Sequence, residues 1–154
     1  MKLNFGCCED ILKGWVNYDL IPIDKRVKYL DLTKFPYPFK SNIVDKILIS
    51  NTIEHFYKEM QIKIINECYR VLKKDGELII RLPTFLPYIS HRSCFHHDNY
   101  LNIFVKSNKT GAYIWTKKFK SIYVKGNRTK SYFWRIKKMI FSYLFDEYEY
   151  ILKK

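Results

Sequence analysis

The chain has 154 residues, of which 47% are hydrophobic and 18% aromatic, and its formal net charge is +13. This length and apolar content predict one globular domain over residues 1–154 and exclude a disordered chain. The sequence has no apolar run of about 18 residues, so we expect no membrane span. The four cysteines show no disulfide-scaffold spacing, which favours reduced thiols in a cytoplasmic protein.

The positive charge is concentrated in the second half of the chain. Residues 1–83 hold 14 Lys/Arg and 11 Asp/Glu, whereas residues 84–154 hold 14 and 4. A field of this sign attracts polyanions such as RNA, phosphorylated sugars or anionic lipid. The alternative is compositional, because enrichment in Lys, Ile and Tyr also fits an AT-rich or heat-adapted genome.

The first half of the chain predicts short strands and one helix. Apolar residues at three- and four-residue spacing predict the helix over 58–73. With the strands on either side of it, this helix indicates a βαβ unit in a parallel sheet. The predicted strands are 2–6, 15–20, 28–32, 43–50 and 77–82.

The pattern weakens after residue 83. Helices are expected over 98–105 and, with a basic and aromatic composition, over 129–145. Strands are expected over 120–124 and 148–152. Only residues 7–14 separate the first two strands, which is short for a crossover helix, so periodicity alone leaves a hairpin open there.

Two chain segments near the amino terminus suggest a nucleotide site. The first predicted strand ends at Gly6, and the second ends at a single acid, Asp19. In an open α/β sheet a glycine turn lets backbone N–H groups approach a ligand, and a strand-end carboxylate accepts hydrogen bonds from ribose hydroxyls. Such acids also start turns or cap helices without binding anything.

The same segments resemble small class I S-adenosylmethionine-dependent methyltransferases. That family typically shows Leu-Asn-Leu-Gly-Cys-Gly and then Gly-Trp-Val-Asn-x-Asp, and here residues 3–8 read Leu-Asn-Phe-Gly-Cys-Cys and residues 14–19 read Gly-Trp-Val-Asn-Tyr-Asp. Residues 50–55, Ser-Asn-Thr-Ile-Glu-His, match its fourth strand and the Glu-His that follows. Residues 67–76 are similar to its Glu-x-x-Arg-Val-Leu-Lys-Pro-Gly-Gly. The match covers residues 2–83 in order and spacing and is loose beyond them.

The resemblance implies an α/β, Rossmann-like class I methyltransferase fold. This fold has a mostly parallel sheet of seven strands, or a truncated version of it, with helices on both faces and a shortened first crossover. Residues 1–83 would form the cofactor-binding half, and residues 84–154 the basic half that meets a substrate or partner.

The resemblance also implies S-adenosylmethionine as the cofactor. The turn at Gly6 would lie beside its methionine part, Asp19 would take the ribose hydroxyls, and Asp31 with the Leu32 amide would face the adenine edge. The cofactor-binding residues implied in this way are Gly6, Cys7, Cys8, Asp19, Leu20, Asp31, Leu32, Ser50 and Asn51.

Cys8 departs from the family pattern, because it stands where the family has a second glycine. A side chain there crowds the ligand or requires a positive φ of a residue that is not glycine. This departure keeps open a non-catalytic, methyltransferase-like binding module. Such a module would bind no cofactor until Cys8 were replaced by glycine.

Histidines are the candidate acid–base residues. His55 follows the fourth predicted strand, and its alternative role is to orient the next helix together with Glu54. His91 and His96 lie in a His/Cys-rich segment over 91–97 that could face a substrate, where Arg92 could hold a phosphate or carboxylate. The spacing of that segment, even with Cys68, matches no metal motif, so no metal site is predicted.

The predicted function is methyl transfer to a hydroxyl or amine of an acceptor such as a phosphorylated glycan or other anionic small molecule. The alternative acceptor is RNA, favoured by the basic second half, although the Asn/Asp-Pro-Pro signature of base-amine methyltransferases is absent after the fourth strand. Residues 129–145 could contact a membrane surface, stack on bases, or simply pack on the sheet. A homodimer could also complete the substrate side.

Overall fold

The computed structural model describes residues 1–83, 121–127 and 147–154, and these residues form one sheet with a helix packed on it. The strands, in chain order, are β1 (Lys2–Phe5), β2 (Val16–Asp19), β3 (Val27–Tyr29), β4 (Val44–Ser50), β5 (Leu72–Pro83), β6 (Ser121–Asn127) and β7 (Glu147–Lys153). A 3₁₀ helix spans Ile53–His55, and helix α1 spans Lys58–Val71.

The described strands lie in the order β3-β2-β1-β4-β5-β7-β6. Strands β1 to β5 pair in parallel, whereas β7 runs antiparallel to both of its neighbours, β5 and β6. The mostly parallel, seven-stranded sheet expected from the sequence is therefore confirmed. The parallel pairing of Leu3 with Val16 excludes a hairpin between the first two strands.

The core lies between α1 and one face of the sheet. Alternate residues of the central strands point to this face, because side chains in a strand alternate between its two faces. Ile64, Cys68 and Val71 of α1 pack against them, as the helical spacing predicts. The buried sheet residues of this core include Leu3, Phe5, Ile47, Ile49, Leu78, Ile80, Tyr150 and Leu152.

The predicted elements agree with the observed ones except at some ends. Strand β3 ends at Tyr29 rather than at residue 32, although the Leu30 N–H still donates to the Asp19 carbonyl of β2 at 2.9 Å. Strand β5 begins directly after α1 rather than at residue 77, and its register with β4 shifts between Val44 and Lys46. The helices expected over 98–105 and 129–145 lie outside the described residues.

Within the described ranges, no helix combines the length and apolar character that a membrane crossing requires.

A candidate cofactor site at the carboxyl edge of the sheet

The connection between β1 and β2 is a loop organised by two buried asparagines. The side chain of Asn4 donates to the Asp10 carbonyl at 2.8 Å and to Asn17 Oδ1 at 3.0 Å. Asn17 Oδ1 also accepts from the Leu12 amide at 3.0 Å, while its Nδ2 donates to the Leu12 and Trp15 carbonyls at 3.2 and 3.3 Å. These side chains satisfy backbone groups that a crossover helix would satisfy internally, so a short loop is able to join two parallel strands.

Gly6 ends β1 in a turn that no other residue fits. Its φ is +64°, in the left-handed region. A Cβ built on Gly6 would lie 2.3 Å from Thr52 Oγ1 and 2.5 Å from Thr52 Cγ2. The Thr52 hydroxyl is within hydrogen-bond distance of the carbonyl oxygens of Ser50, at 2.8 Å, and Gly6, at 3.2 Å. The ends of β1 and β4 are therefore in direct contact.

Cys8 adopts the conformation that its glycine-like position requires. Its φ is +44°, and its backbone N–H donates to Asp19 Oδ2 at 2.9 Å. The other oxygen of the Asp19 carboxylate accepts from the Ile21 amide at 3.0 Å. Because a carboxylate oxygen accepts more than one hydrogen bond, Asp19 keeps acceptor capacity for ligand hydroxyls.

The neighbouring thiol, Cys7, is buried behind this turn. Its N–H donates to the Tyr18 carbonyl at 3.1 Å, which ties the turn to β2. Burial, reinforced by the Asp19 carboxylate, raises the pKa of the Cys7 thiol. Cys7 is therefore protonated at neutral pH and acts as a packing residue rather than as a nucleophile.

Asp31 follows β3 and is oriented by its own turn. Its Oδ1 accepts from the Thr33 hydroxyl at 2.7 Å and from the Thr33 N–H at 2.8 Å. These two hydrogen bonds, the one from the side chain being the stronger influence, lower the pKa of Asp31. The adjacent Leu32 side chain is buried in the core, so only the backbone of Leu32 is available at this edge.

The remaining predicted residues of the first half lie at the end of β4 and just past it. Ser50 ends the strand, and Asn51 follows with a φ of +46° and an N–H that donates to the Arg81 carbonyl at 3.1 Å. His55 closes the 3₁₀ helix with an exposed side chain, whereas the neighbouring Glu54 is buried. His91, Arg92 and His96 lie outside the described residues.

All the predicted cofactor residues therefore end, or follow, strands whose carboxyl ends lie at one edge of the sheet. Leu20, which follows Asp19 directly, is 55% exposed there. Hydrogen bonds join the ends of β1 and β2 through Cys8 and Asp19, and those of β1 and β4 through Gly6 and Thr52. This is the edge where open α/β sheets bind ligands.

Sequence reasoning missed several residues that shape this edge. Asn4 and Asn17 belong to the matched motif and lie on the sheet face opposite the core, and the available signal was a polar residue between apolar ones in each of β1 and β2. Thr52 and Tyr37 gave no signal, because their roles depend on contacts between distant chain segments. Cys68 is a fully buried core residue of α1, as its place on the apolar face of the predicted helix indicates.

A family model described as a methyltransferase domain matches residues 6–80. No curated protein matches the sequence.

Among solved structures, a SAM-dependent methyltransferase from Archaeoglobus fulgidus superposes with a TM-score of 0.63 at 17% identity, covering 99% of this chain and 85% of that one. The N-methyltransferase NodS from Bradyrhizobium japonicum, in complex with S-adenosylhomocysteine, gives a TM-score of 0.60 at 11% identity, covering 99% and 76%. Phosphoethanolamine N-methyltransferase 2 from Haemonchus contortus gives 0.53 at 15% identity, covering 99% and 48%.

The glycine turn after β1 and the acid that ends β2 lie where the resemblance of the sequence to this family implies them. Residues 6–80, just under half of the chain, match a methyltransferase-domain model, and the described residues share the fold of solved S-adenosylmethionine-dependent methyltransferases.

Proposed function

We propose that this protein transfers a methyl group from S-adenosylmethionine to a hydroxyl or amine of an anionic small molecule, with a phosphorylated glycan as the favoured acceptor. The observation that carries the proposal is the hydrogen-bonded edge formed by the Gly6–Cys8 turn, Asp19 and Asp31. When bound, the cofactor supplies an electrophilic methyl on a sulfonium, which a nucleophile displaces in one step.

The turn and Asp19 would hold the two halves of the cofactor. The positive φ of Gly6 and of Cys8 turns the chain sharply at the end of β1, and the methionine part of the cofactor would lie beside this turn. Asp19, already fixed by the amides of Cys8 and Ile21, would accept from the ribose hydroxyls. A carboxylate fixed before binding loses little rotamer entropy when the ligand arrives.

Asp31 would recognise the base. Its Oδ1 holds the two Thr33 bonds, and among the described residues its Oδ2 receives no hydrogen bond, so this oxygen suits an amino group of the adenine. The lowered pKa of Asp31 keeps it an acceptor at neutral pH. Ser50 and Asn51 would line the floor of the pocket, close to the reacting carbon.

His55 would accept the proton that the nucleophile loses. It is exposed and follows β4 at the edge where Ser50 and Asn51 lie. A histidine imidazole is the side chain that most often serves as a general acid or base in enzymes. His91 stays a second candidate for this role, and Arg92 and His96 stay candidates for contacting the acceptor.

The anionic acceptor is inferred from charge. Residues 84–154 carry ten more basic than acidic side chains, and such an excess attracts anions to the protein. On the same fold, the Haemonchus contortus enzyme is in complex with phosphomonomethylethanolamine, a phosphorylated small molecule. RNA is the second candidate acceptor, favoured by the same charge.

The first experiment is isothermal titration with S-adenosylhomocysteine. We expect wild-type binding in the micromolar range and a loss of at least tenfold in Asp19→Asn, because a charge-assisted hydrogen bond is worth about 1.5–3 kcal/mol. The matched control is Glu59→Gln, an exposed acid in the first turn of α1, which should leave the affinity unchanged. A folded wild type that gives no heat would contradict the proposal and favour the non-catalytic module.

The acceptor is tested separately with radiolabelled S-adenosylmethionine. Phosphorylated and dephosphorylated forms of one glycan pool, and total RNA, are offered at 50 and 200 mM salt. Phosphate-dependent incorporation supports the glycan. RNA labelling that falls steeply between the two salt concentrations supports the alternative, since neutralised phosphates make binding strongly salt-dependent.

A further inference from the structure

The segment between β3 and β4 contains a tyrosine that hydrogen-bonds to the backbone next to Asp31, the residue proposed to contact the adenine. Tyr37 is 2% exposed, and its hydroxyl donates to the Leu32 carbonyl at 3.0 Å. Burial raises the pKa of the Tyr37 hydroxyl, so it remains a donor throughout the physiological range. Leu32 directly follows Asp31, so this bond ends one residue from the carboxylate.

The Tyr37 bond and the Asp31 bond act on opposite ends of one rigid unit. The Leu32 carbonyl and the Thr33 N–H belong to the same planar peptide group. Tyr37 holds the carbonyl end, and Asp31 Oδ1 holds the N–H end at 2.8 Å. The hydroxyl of Tyr37 therefore limits rotation of the peptide plane that orients the Asp31 carboxylate.

Helix α1 in turn fixes Tyr37 through its backbone. The Tyr37 N–H donates to Glu67 Oε1 at 2.7 Å, and the Tyr37 carbonyl accepts from Arg70 Nη2 at 3.2 Å. Arg70 also makes a bidentate pair with Glu67, at 2.7 Å from Nη2 and 3.0 Å from Nε. Burial opposes ionisation of Glu67, but the bonds from Arg70 and Tyr37 outweigh it, and the pKa of Glu67 lies below its ordinary value.

Aromatic contacts hold the Tyr37 ring in the same place. The ring meets Phe5 edge-on, with centroids 5.7 Å apart, and stacks on Phe35 at 5.4 Å. Phe5 is the residue before Gly6, so the ring also supports the strand that carries the glycine turn. A side chain fixed at its ring, its hydroxyl and both backbone groups has one available orientation.

We propose that Tyr37, anchored by Glu67 and Arg70, is a positioning residue that sets the selectivity of the site for adenine over other purines. The inference rests on the proposed placement of the adenine edge at Asp31. A fixed carboxylate accepts from the adenine amino group but faces the carbonyl of hypoxanthine unfavourably, since two acceptors then oppose each other. A carboxylate free to turn away would discriminate less.

The test compares S-adenosylhomocysteine with S-inosylhomocysteine, which carries a 6-oxo group in place of the amino group. Dissociation constants for both are measured by titration calorimetry on wild type, Tyr37→Phe and Tyr57→Phe, the last being an exposed tyrosine as matched control. We expect wild type to prefer the adenosyl ligand at least tenfold. In Tyr37→Phe the preference should fall three- to tenfold, and in Tyr57→Phe it should not change.

The ratio of the two dissociation constants separates a positioning effect from a loss of folded protein. A smaller folded fraction lowers the apparent affinity for both ligands equally and leaves their ratio unchanged. Glu67→Gln is a second variant that keeps the Tyr37 side chain and should narrow the ratio as well. A wild type that prefers the adenosyl ligand, with an unchanged ratio in Tyr37→Phe, would overturn the positioning role alone. A wild type that binds both ligands equally would overturn both the placement of the adenine at Asp31 and the positioning role of Tyr37. In that case Asp31→Asn should leave the affinity for S-adenosylhomocysteine unaltered.

Discussion

Replacing Cys8 with glycine should stabilise this protein. Cys8 has a φ of +44°, a conformation that costs an L-residue about 1–2 kcal/mol and costs glycine nothing. Glycine loses about 0.5–1 kcal/mol more backbone entropy on folding, which offsets part of the gain. The backbone N–H that donates to Asp19 is present in both proteins. The net expectation is a gain of about 0.5–1 kcal/mol.

Urea unfolding of wild type, Cys8→Gly and Cys8→Ser measures this gain. Serine keeps the Cβ and therefore the strain, so Cys8→Ser should stay within about 0.5 kcal/mol of wild type. In a thermal scan the glycine variant should melt about 2–3 °C higher, as expected for a gain of this size in a domain of this length. Equal stabilisation by serine and glycine, or a loss with glycine, would refute the strain argument.

Three further predictions concern the loop between β1 and β2, the backbone oxygens near the end of α1, and the turn that holds Asp31. Asn17→Ala should lower the free energy of unfolding by about 2–4 kcal/mol in urea titrations, because several buried hydrogen-bonding groups lose their partner. Lys154→Met should lower the free energy of unfolding by about 1–2 kcal/mol in the same assay, since the Lys154 ammonium donates to three oxygens at 2.7 Å. Its control is Lys153→Met, at an exposed position, which should cost nothing measurable. Thr33→Val should raise the pKa of Asp31 toward its ordinary value, because the hydrogen bond from the Thr33 hydroxyl is lost. On acidification Asp31 would then begin to lose its charge at a higher pH, which a carboxyl NMR titration would show as a higher midpoint. An unmoved midpoint would contradict the assigned cause.

The sequence was informative where local pattern decides the structure. The period of apolar residues predicts α1 because its buried face includes Ile64, Cys68 and Val71. The residues at the strand ends, Gly6 and Asp19, come to one edge because parallel strands all end on the same side. Pattern and topology together therefore predict most of the cofactor half.

Contacts between distant segments were not predictable from one sequence. The Glu67–Arg70 pair belongs to the matched motif, yet only the structure shows that it holds the backbone of Tyr37. The short connection after β1 was ambiguous, because nothing in its periodicity reveals that Asn4 and Asn17 replace the hydrogen bonds of a helix. Neither does strand order along the chain reveal that β7 lies between β5 and β6.

The position of β7 has a consequence for how the protein folds during its synthesis. Strand β6 is made before β7, yet in the described sheet β7 is its hydrogen-bonded neighbour. Strands β1 to β5 leave the ribosome first, whereas the edge of β5 stays without its neighbour until residues 147–153 have been translated. At 5–20 residues per second this interval lasts several seconds. A nascent chain arrested before residue 147 should therefore pair its exposed β5 edge with other chains, and the risk of aggregation should end only when β7 inserts.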